Sequence, residues 1–270
     1  MLRGATVFSC STALAELAGK IGFDAVWIDM EHGPAGFWEV ANLCLAVEAG
    51  GAIPVVRVPD AQRCHILRAL EVGARMVVVP MVNSMEEARQ VVAHGRFAPV
   101  GRRGLNTRTR GMGFGLQPVR SAMAAADARI ELLAQVETRE AVQRVDDICG
   151  VDGLSGILVG PADLSVDMGI AGEFDNPELL SAVVGCVKRA KLAGKRCGIL
   201  VAPGPLLDAA LDAGCNLAFI GGDVSDLSRC WRELLQRVTC GIARTSDRNI
   251  PGGAPVSPGG GDKHGTGTNH

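Results

Sequence analysis

Tyrosine is absent from the 270 residues, and aromatic side chains make up only 4% of them. Single-stranded nucleic acids are gripped by stacking bases on such rings, so a stacking platform is excluded. An excess of one charge is missing too. Lys and Arg number 27 against 29 Asp and Glu, a formal net charge of −2, which offers no broad attraction to a polyanion. No run of ~18 apolar residues occurs, and no charged-then-apolar leader pattern opens the sequence, so a membrane partner is not expected. The nine cysteines (10, 44, 64, 149, 186, 197, 215, 230 and 240) show no C-x-x-C spacing and are odd in number. Most fall within apolar patterns, where a thiol acts as a small hydrophobe, so reduced cysteines and a cytoplasmic location are expected. Lysine is scarce: Lys20, Lys188, Lys191, Lys195 and Lys263. A small-molecule partner is what these absences leave.

What is present is apolar and repetitive. Hydrophobic residues make up 47% of the chain, enough for one large core. Short apolar runs alternate with helical patterns: Ala5–Cys10, Ala25–Glu31, Ile53–Val58, Met76–Val82, Leu132–Glu137, Gly156–Gly160, Cys197–Val201 and Leu217–Gly222. Nearly continuous apolar runs suit parallel strands buried on both faces. Thr12–Gly22, Glu86–Ala93, Arg139–Ile148, Pro177–Ala193 and Leu206–Ala213 carry helical periodicity. A doubly wound sheet would place a glycine-rich turn after its first strand. Ser9-Cys10-Ser11-Thr12 stands there instead, so the pattern predicts a (β/α)8 TIM barrel over residues 1–240. Residues 241–270, rich in Gly, Pro, Ser and Thr without apolar period, are expected to form a disordered tail. Residues 96–130 form a long connection of the kind that often serves as a lid or binding loop.

Active sites of such barrels lie at the C-terminal ends of the strands. There the sequence places Asp29-Met30-Glu31-His32, Arg57, Gln135-Val136-Glu137, Gly160-Pro161-Ala162-Asp163 and Asp223. Glu137 and Asp163, from neighbouring strands, suit a hard, oxygen-loving cation, although each could instead cap a following helix. His32 is the one histidine at a strand end and could act as a general base beside Asp29 and Glu31. No lysine reaches this rim, which removes an imine mechanism and leaves a metal or an arginine to stabilise a carbanion.

At these residues the sequence resembles the HpcH/HpaI family, the class II metal-dependent pyruvate aldolases related to the citrate lyase β subunit. The resemblance runs over residues 4–238. Its motifs are Gly22-Phe23-Asp24 with Ile28-Asp29-Met30-Glu31-His32-Gly33-Pro34, then Pro54-Val55-Val56-Arg57-Val58-Pro59 and Val79-Pro80-Met81-Val82-Asn83, and finally Gln135-Val136-Glu137-Thr138-Arg139-Glu140-Ala141 and Gly160-Pro161-Ala162-Asp163-Leu164-Ser165. It implies a barrel of the phosphoenolpyruvate/pyruvate type and an aldehyde-lyase that cleaves or forms 4-hydroxy-2-oxo acids through a pyruvate enolate. Glu137 and Asp163 match metal ligands for Mg2+, Mn2+ or Co2+. Arg57 matches the arginine on the 2-oxo group, and His32 the general acid/base, with Asp29 oriented against it. Gln135 matches a polar residue near the metal, and Gly160, Pro161 and Ala162 the turn whose N–H groups meet the pyruvate carboxylate. A homo-oligomer, a hexamer or trimer of dimers, is implied as well.

Glu71 stands where the family often has Asp, which puts it with Glu31 as expected support for the histidine. The basic stretch 101–110 is either a solvated charge run or a loop in which Arg103 or Arg108 grips the aldehyde acceptor. Three other outcomes stay open: 2-oxo-diacid decarboxylation, citrate-lyase-like action on an acyl-CoA, and a non-catalytic barrel used for binding or assembly.

Overall fold

The computed structural model describes residues 1–248, and side chains as far as residue 239. Eight strands, β1 (Leu2–Val7), β2 (Ala25–Asp29), β3 (Ile53–Arg57), β4 (Met76–Val79), β5 (Glu131–Val136), β6 (Gly156–Val159), β7 (Arg196–Leu200) and β8 (Leu217–Gly222), pair in parallel in chain order and close into a barrel. The expected (β/α)8 architecture is the observed one. The helices are α1 (Thr12–Ile21), α2 (Phe37–Gly50), α3 (Arg63–Val72), α4 (Met85–Gly95), α5 (Val119–Arg129), α6 (Arg139–Gln143), α7 (Val145–Cys149), α8 (Pro161–Asp167), α9 (Pro177–Leu192), α10 (Pro205–Ala213) and α11 (Asp223–Arg248). Local chemistry starts several of them. Ser11, Ser84, Thr138 and Asn176 accept backbone N–H groups at the first turns of α1, α4, α6 and α9.

Side chains alternate across a strand, and that period of two builds two cores. Val26, Ile28, Val56, Val77 and Leu132 face outward into the layer beneath the helices. Ala25, Trp27, Val55, Met76, Val78, Leu133, Leu158, Leu217 and Phe219 face inward and fill the barrel. Trp27 and Phe219 meet edge to face at 5.1 Å between ring centroids, and each such burial contributes roughly 1.5–3 kcal/mol. Gly4, paired with Phe219 in the β1–β8 register, carries no Cβ where that ring lies. Two residues on from Trp27, Val55 and Leu133 stand Asp29, Arg57 and Gln135, and two more on stands Glu137. The same parity that fills the core therefore lifts four polar side chains onto its roof.

Several boundaries shift by a residue or two, and three differ more from the periodicity. β1 runs Leu2–Val7 rather than Ala5–Cys10, because the N–H groups of Phe8 and Ser9 turn away to the Asp223 carboxylate, both at 2.9 Å. β4 stops at Val79, since Met81 adopts a left-handed backbone (φ +55°). The stretch Arg139–Ile148 divides into α6 and α7 at Arg144, whose φ and ψ of −101° and 13° leave the helical region. Within the long connection 96–130, α5 and the turn Arg110–Gly115 form a small core of Phe97, Met112, Ala122 and Ala126.

Two compact units divide the chain at Leu227/Ser228. In the second, α11 continues through residues 241–248, where the composition suggests a tail, and Trp231, Leu234, Leu235 and Val238 of this helix are exposed. The rest of the expected tail, 249–270, lies outside the described residues. No described helix is long and apolar enough to cross a membrane.

Candidate active site

Asp29 and Arg57 are register partners at the ends of β2 and β3. Arg57 is 7% exposed and Asp29 1%. The guanidinium donates from Nε to Asp29 Oδ1 at 3.1 Å and from Nη2 to Asp29 Oδ2, while Nη1 lies 2.9 Å from Glu31 Oε2. Beneath it, the Trp27 ring sits 5.3 Å away, so the cation rests on the roof of the inner core. Burial pushes the Asp29 carboxyl up, but the Arg57 donors and two backbone N–H groups outweigh it and hold Asp29 below its ordinary range. For Glu31 burial wins over Arg57, and its carboxyl is raised.

Asp29 was expected to orient the His32 ring. Its carboxylate instead accepts from Arg57 and from the N–H groups of Glu31 (2.9 Å) and His32 (3.2 Å). It thus fixes the turn that carries His32, and the imidazole itself is exposed. Among the described residues no partner orients that ring. Glu31 remains beside this group through Arg57. Glu71, by contrast, sits in the last turn of α3. A helix that follows a strand runs back toward the strand starts, so Glu71 ends at the far end of the barrel from His32, where its charge acts on Arg103. It does not support the histidine. The helical histidines have other partners: His65 meets Asp60 at 2.6 Å, and His94 the Ala61 carbonyl at 3.1 Å.

Across the mouth, Glu137 follows the last residue of β5 and is 2% exposed. Oε1 accepts the N–H of Met81 at 2.7 Å, and Oε2 accepts from Gln135 Nε2. Burial raises the Glu137 carboxyl, the two donors oppose it, and the charges of Asp163 and Glu31 raise it further. Met81 was not foreseen, because it offers only a backbone donor. Its left-handed conformation, which costs about 1–2 kcal/mol outside glycine, aims that donor at the carboxylate.

Asp163 lies in the first turn of α8, after Gly160 and Pro161. The N–H of Gly160 is taken by the Val136 carbonyl at 3.0 Å, and proline has none. Of the turn expected to meet a carboxylate, the N–H groups of Ala162 and Asp163 are the ones with no carbonyl one turn back inside the helix. Gly160 itself is a packing requirement. A Cβ there would lie 2.7 Å from Glu137 Oε2 and 3.1 Å from Gln135 Nε2. Its φ of −98° is open to alanine, so Gly160→Ala acts by displacement alone. We expect it to lower turnover by ~10²-fold with little change in Tm, as a misplacement near 1 Å does.

The donors offered are oxygen atoms. Among the described residues Gln135 Oε1 has no hydrogen-bond partner and Glu137 is buried among like charges, while no group of three His, Cys, Asp or Glu is placed to hold a metal ion by itself. That set fits a hard divalent cation held by two carboxylates with its other positions left to substrate and water. Beside it, a largely apolar cavity of about 490 Å³ opens between Pro161, Ala162, Phe174 and Asp175 and residues 200–206, a place the sequence does not mark because the end of β7 carries no ionisable group. Of the four described lysines, Lys20, Lys188 and Lys191 ride on α1 and α9. Lys195 Nζ bonds the carbonyls of Val151 and Leu154, ahead of β6.

The remaining candidates lie elsewhere. Arg108 is exposed, and its backbone N–H bonds Asn106 Oδ1 at 3.1 Å. Arg103 is 6% exposed and borders a cavity with Ala74, Arg75, Arg129 and Ile130, which immediately precede β4 and β5. That is the strand-start end of the barrel, so Arg103 does not reach an acceptor at the mouth.

A family model described as HpcH/HpaI aldolase/citrate lyase matches residues 6–229. A hydroxypyruvate/pyruvate aldolase from Roseobacter denitrificans is 34% identical over 230 residues, 83% of this chain and 89% of that protein. A 4-hydroxy-2-oxo-heptane-1,7-dioate aldolase from Klebsiella pneumoniae is 36% identical over 241 residues, 89% of this chain and 90% of that protein. Among solved structures, an aldolase/citrate lyase family protein from Burkholderia cenocepacia superposes with a TM-score of 0.82 at 32% identity, covering 88% of this chain and 94% of that one.

Proposed function

Because the chain belongs to the HpcH/HpaI aldolase/citrate lyase family, we propose how its barrel mouth works as a class II aldolase. The enzyme is a carbon–carbon lyase that makes or breaks the bond next to a 2-oxo acid, with pyruvate and an aldehyde as the fragments. The observation that carries this reading is the buried Glu137–Gln135 pair facing Asp163 across from the Arg57–Asp29–Glu31 group.

Glu137 and Asp163 would hold a divalent ion, Mg2+, Mn2+ or Co2+, whose chemistry when bound is Lewis-acid polarisation of the 2-oxo carbonyl. Arg57, fixed by two carboxylates, keeps N–H donors for the 2-oxo oxygen and stabilises negative charge as it develops there. The N–H groups of Ala162 and Asp163 receive the substrate carboxylate. His32, exposed on the turn that Asp29 holds, moves the proton between solvent side and substrate. Pro161 and Ala162 also line the apolar cavity, and this shared wall supports a reading in which the aldehyde fragment lies there. Exposed apolar residues on α11 support a homo-oligomer, and the eight free described cysteines a reducing, cytoplasmic setting.

Exchange of the pyruvate methyl protons in deuterated water, followed by NMR, tests the reading. Exchange should require Mg2+ or Mn2+ and vanish in Glu137→Ala. Equal exchange in metal-free buffer sinks it. Borohydride with pyruvate should leave every lysine unmodified.

A further inference from the structure

At the strand-start end, opposite the site above, a second cavity of about 140 Å³ is bordered by Arg75, Arg103, Arg110 and Arg129. One carboxylate on its wall, Glu48, pairs with Arg110. The other guanidiniums have few partners. Arg75 donates from Nε to the Arg129 carbonyl and Arg129 from Nη2 to the Gly111 carbonyl, both at 3.3 Å. With five N–H donors each, most of their capacity is left over.

Arg103 is the telling member. It is 94% buried, its guanidinium lies 4.7 Å over the Phe97 ring, and its Nε and Nη1 have no hydrogen-bond partner among the described residues. Asp127 and Glu71 act on it through space, and neither hydrogen-bonds it. Burial nonetheless pushes this guanidinium below its ordinary value. A buried cation without a hydrogen-bonded anion is costly, and native proteins rarely leave one so.

We propose that this cavity binds a small polyvalent oxyanion of the phosphate class, free or as the phosphoryl group of a small metabolite. Three guanidiniums converging from separate segments match a tetrahedral anion, which accepts from several directions, better than a planar carboxylate that one arginine can satisfy. The volume admits a phosphoryl group and excludes a nucleotide. Trp27, Phe219 and the rest of the inner core fill the barrel between this cavity and the mouth, so the bound anion does not contact Arg57 or Glu137.

The test is calorimetric titration, paired with thermal denaturation, in metal-free buffer at constant ionic strength, using inorganic phosphate, sulfate and malonate. Phosphate should bind saturably and raise Tm, with an affinity that saturating pyruvate leaves unchanged. Arg75→Gln combined with Arg129→Gln should weaken phosphate about tenfold while leaving the anion-free Tm in place, a control for loss of folding that Arg103→Met alone would lack. A phosphorylated small metabolite binding tighter than phosphate would identify the phosphoryl source; weaker binding would assign the free ion. Absence of saturable binding, tighter binding of malonate, competition by pyruvate, or undiminished affinity in the double variant overturns the proposal.

Discussion

Glu137→Ala is expected to lower turnover by ~10³-fold or more, the scale seen when a group that stabilises developing negative charge is removed. Two losses combine. One of two carboxylates for a divalent ion disappears, and Gln135 Nε2 and the Met81 N–H lose their acceptor. Titration with Mn2+ should show weakened metal binding in step with the lost activity. Full activity with unchanged metal affinity would remove Glu137 from the site.

The conservative variant separates function from stability. Burial raises the Glu137 carboxyl, so between its unfolded and folded values the folded state binds more protons than the unfolded one. Its contribution to stability is therefore most favourable at low pH and becomes unfavourable as pH rises through the folded value. Without metal, Glu137→Gln should raise Tm at pH 8 and change it little at pH 4, while abolishing activity. A lower Tm at pH 8 would mean that Gln135 and Met81 compensate the buried charge fully.

Arg57→Lys should lower kcat by ~10²-fold with a smaller effect on KM, because lysine keeps the charge but loses the planar fork that contacts Asp29 while leaving donors for substrate. Arg57→Met should unfold more readily, by about 3–5 kcal/mol, since buried Asp29 and half-buried Glu31 are left without a cation. Urea denaturation measures that difference. A methionine variant as stable as the parent would show that the pair is not coupled to folding.

The barrel was legible because apolar runs marked the strands, and the polar roof because sites of such barrels lie at the strand ends. That Asp29, Arg57, Gln135 and Glu137 share the inward parity of Trp27, Val55 and Leu133 emerges only from the structure, because runs apolar on both faces hide the alternation. Glu71 was misplaced for a readable reason: it is the ninth residue of a returning helix, hence at the other end of the barrel. Other features leave no such mark. A methionine that turns left-handed to lend its N–H, as Met81 does, looks like any apolar residue after a strand. Gly160 reads as a source of N–H groups, yet its own donor is consumed by Val136, and its role depends on the missing Cβ. The arginines of 101–110 look alike in sequence. Burial of Arg103 and exposure of Arg108 are decided by packing on Phe97 and by the α3 and α5 helices, not by local pattern.

The rings of Trp27 and Phe219, locked edge to face in the barrel's centre, also act as a partition. With the lumen solid, no molecule passes from one rim to the other, and each rim keeps its own water, charge balance and evolutionary freedom. Substitutions among the arginines below can accumulate without retuning the chemistry above. A variant that thins the partition, such as Phe219→Ala, would leave a cavity within it and weaken the separation that this fold otherwise keeps.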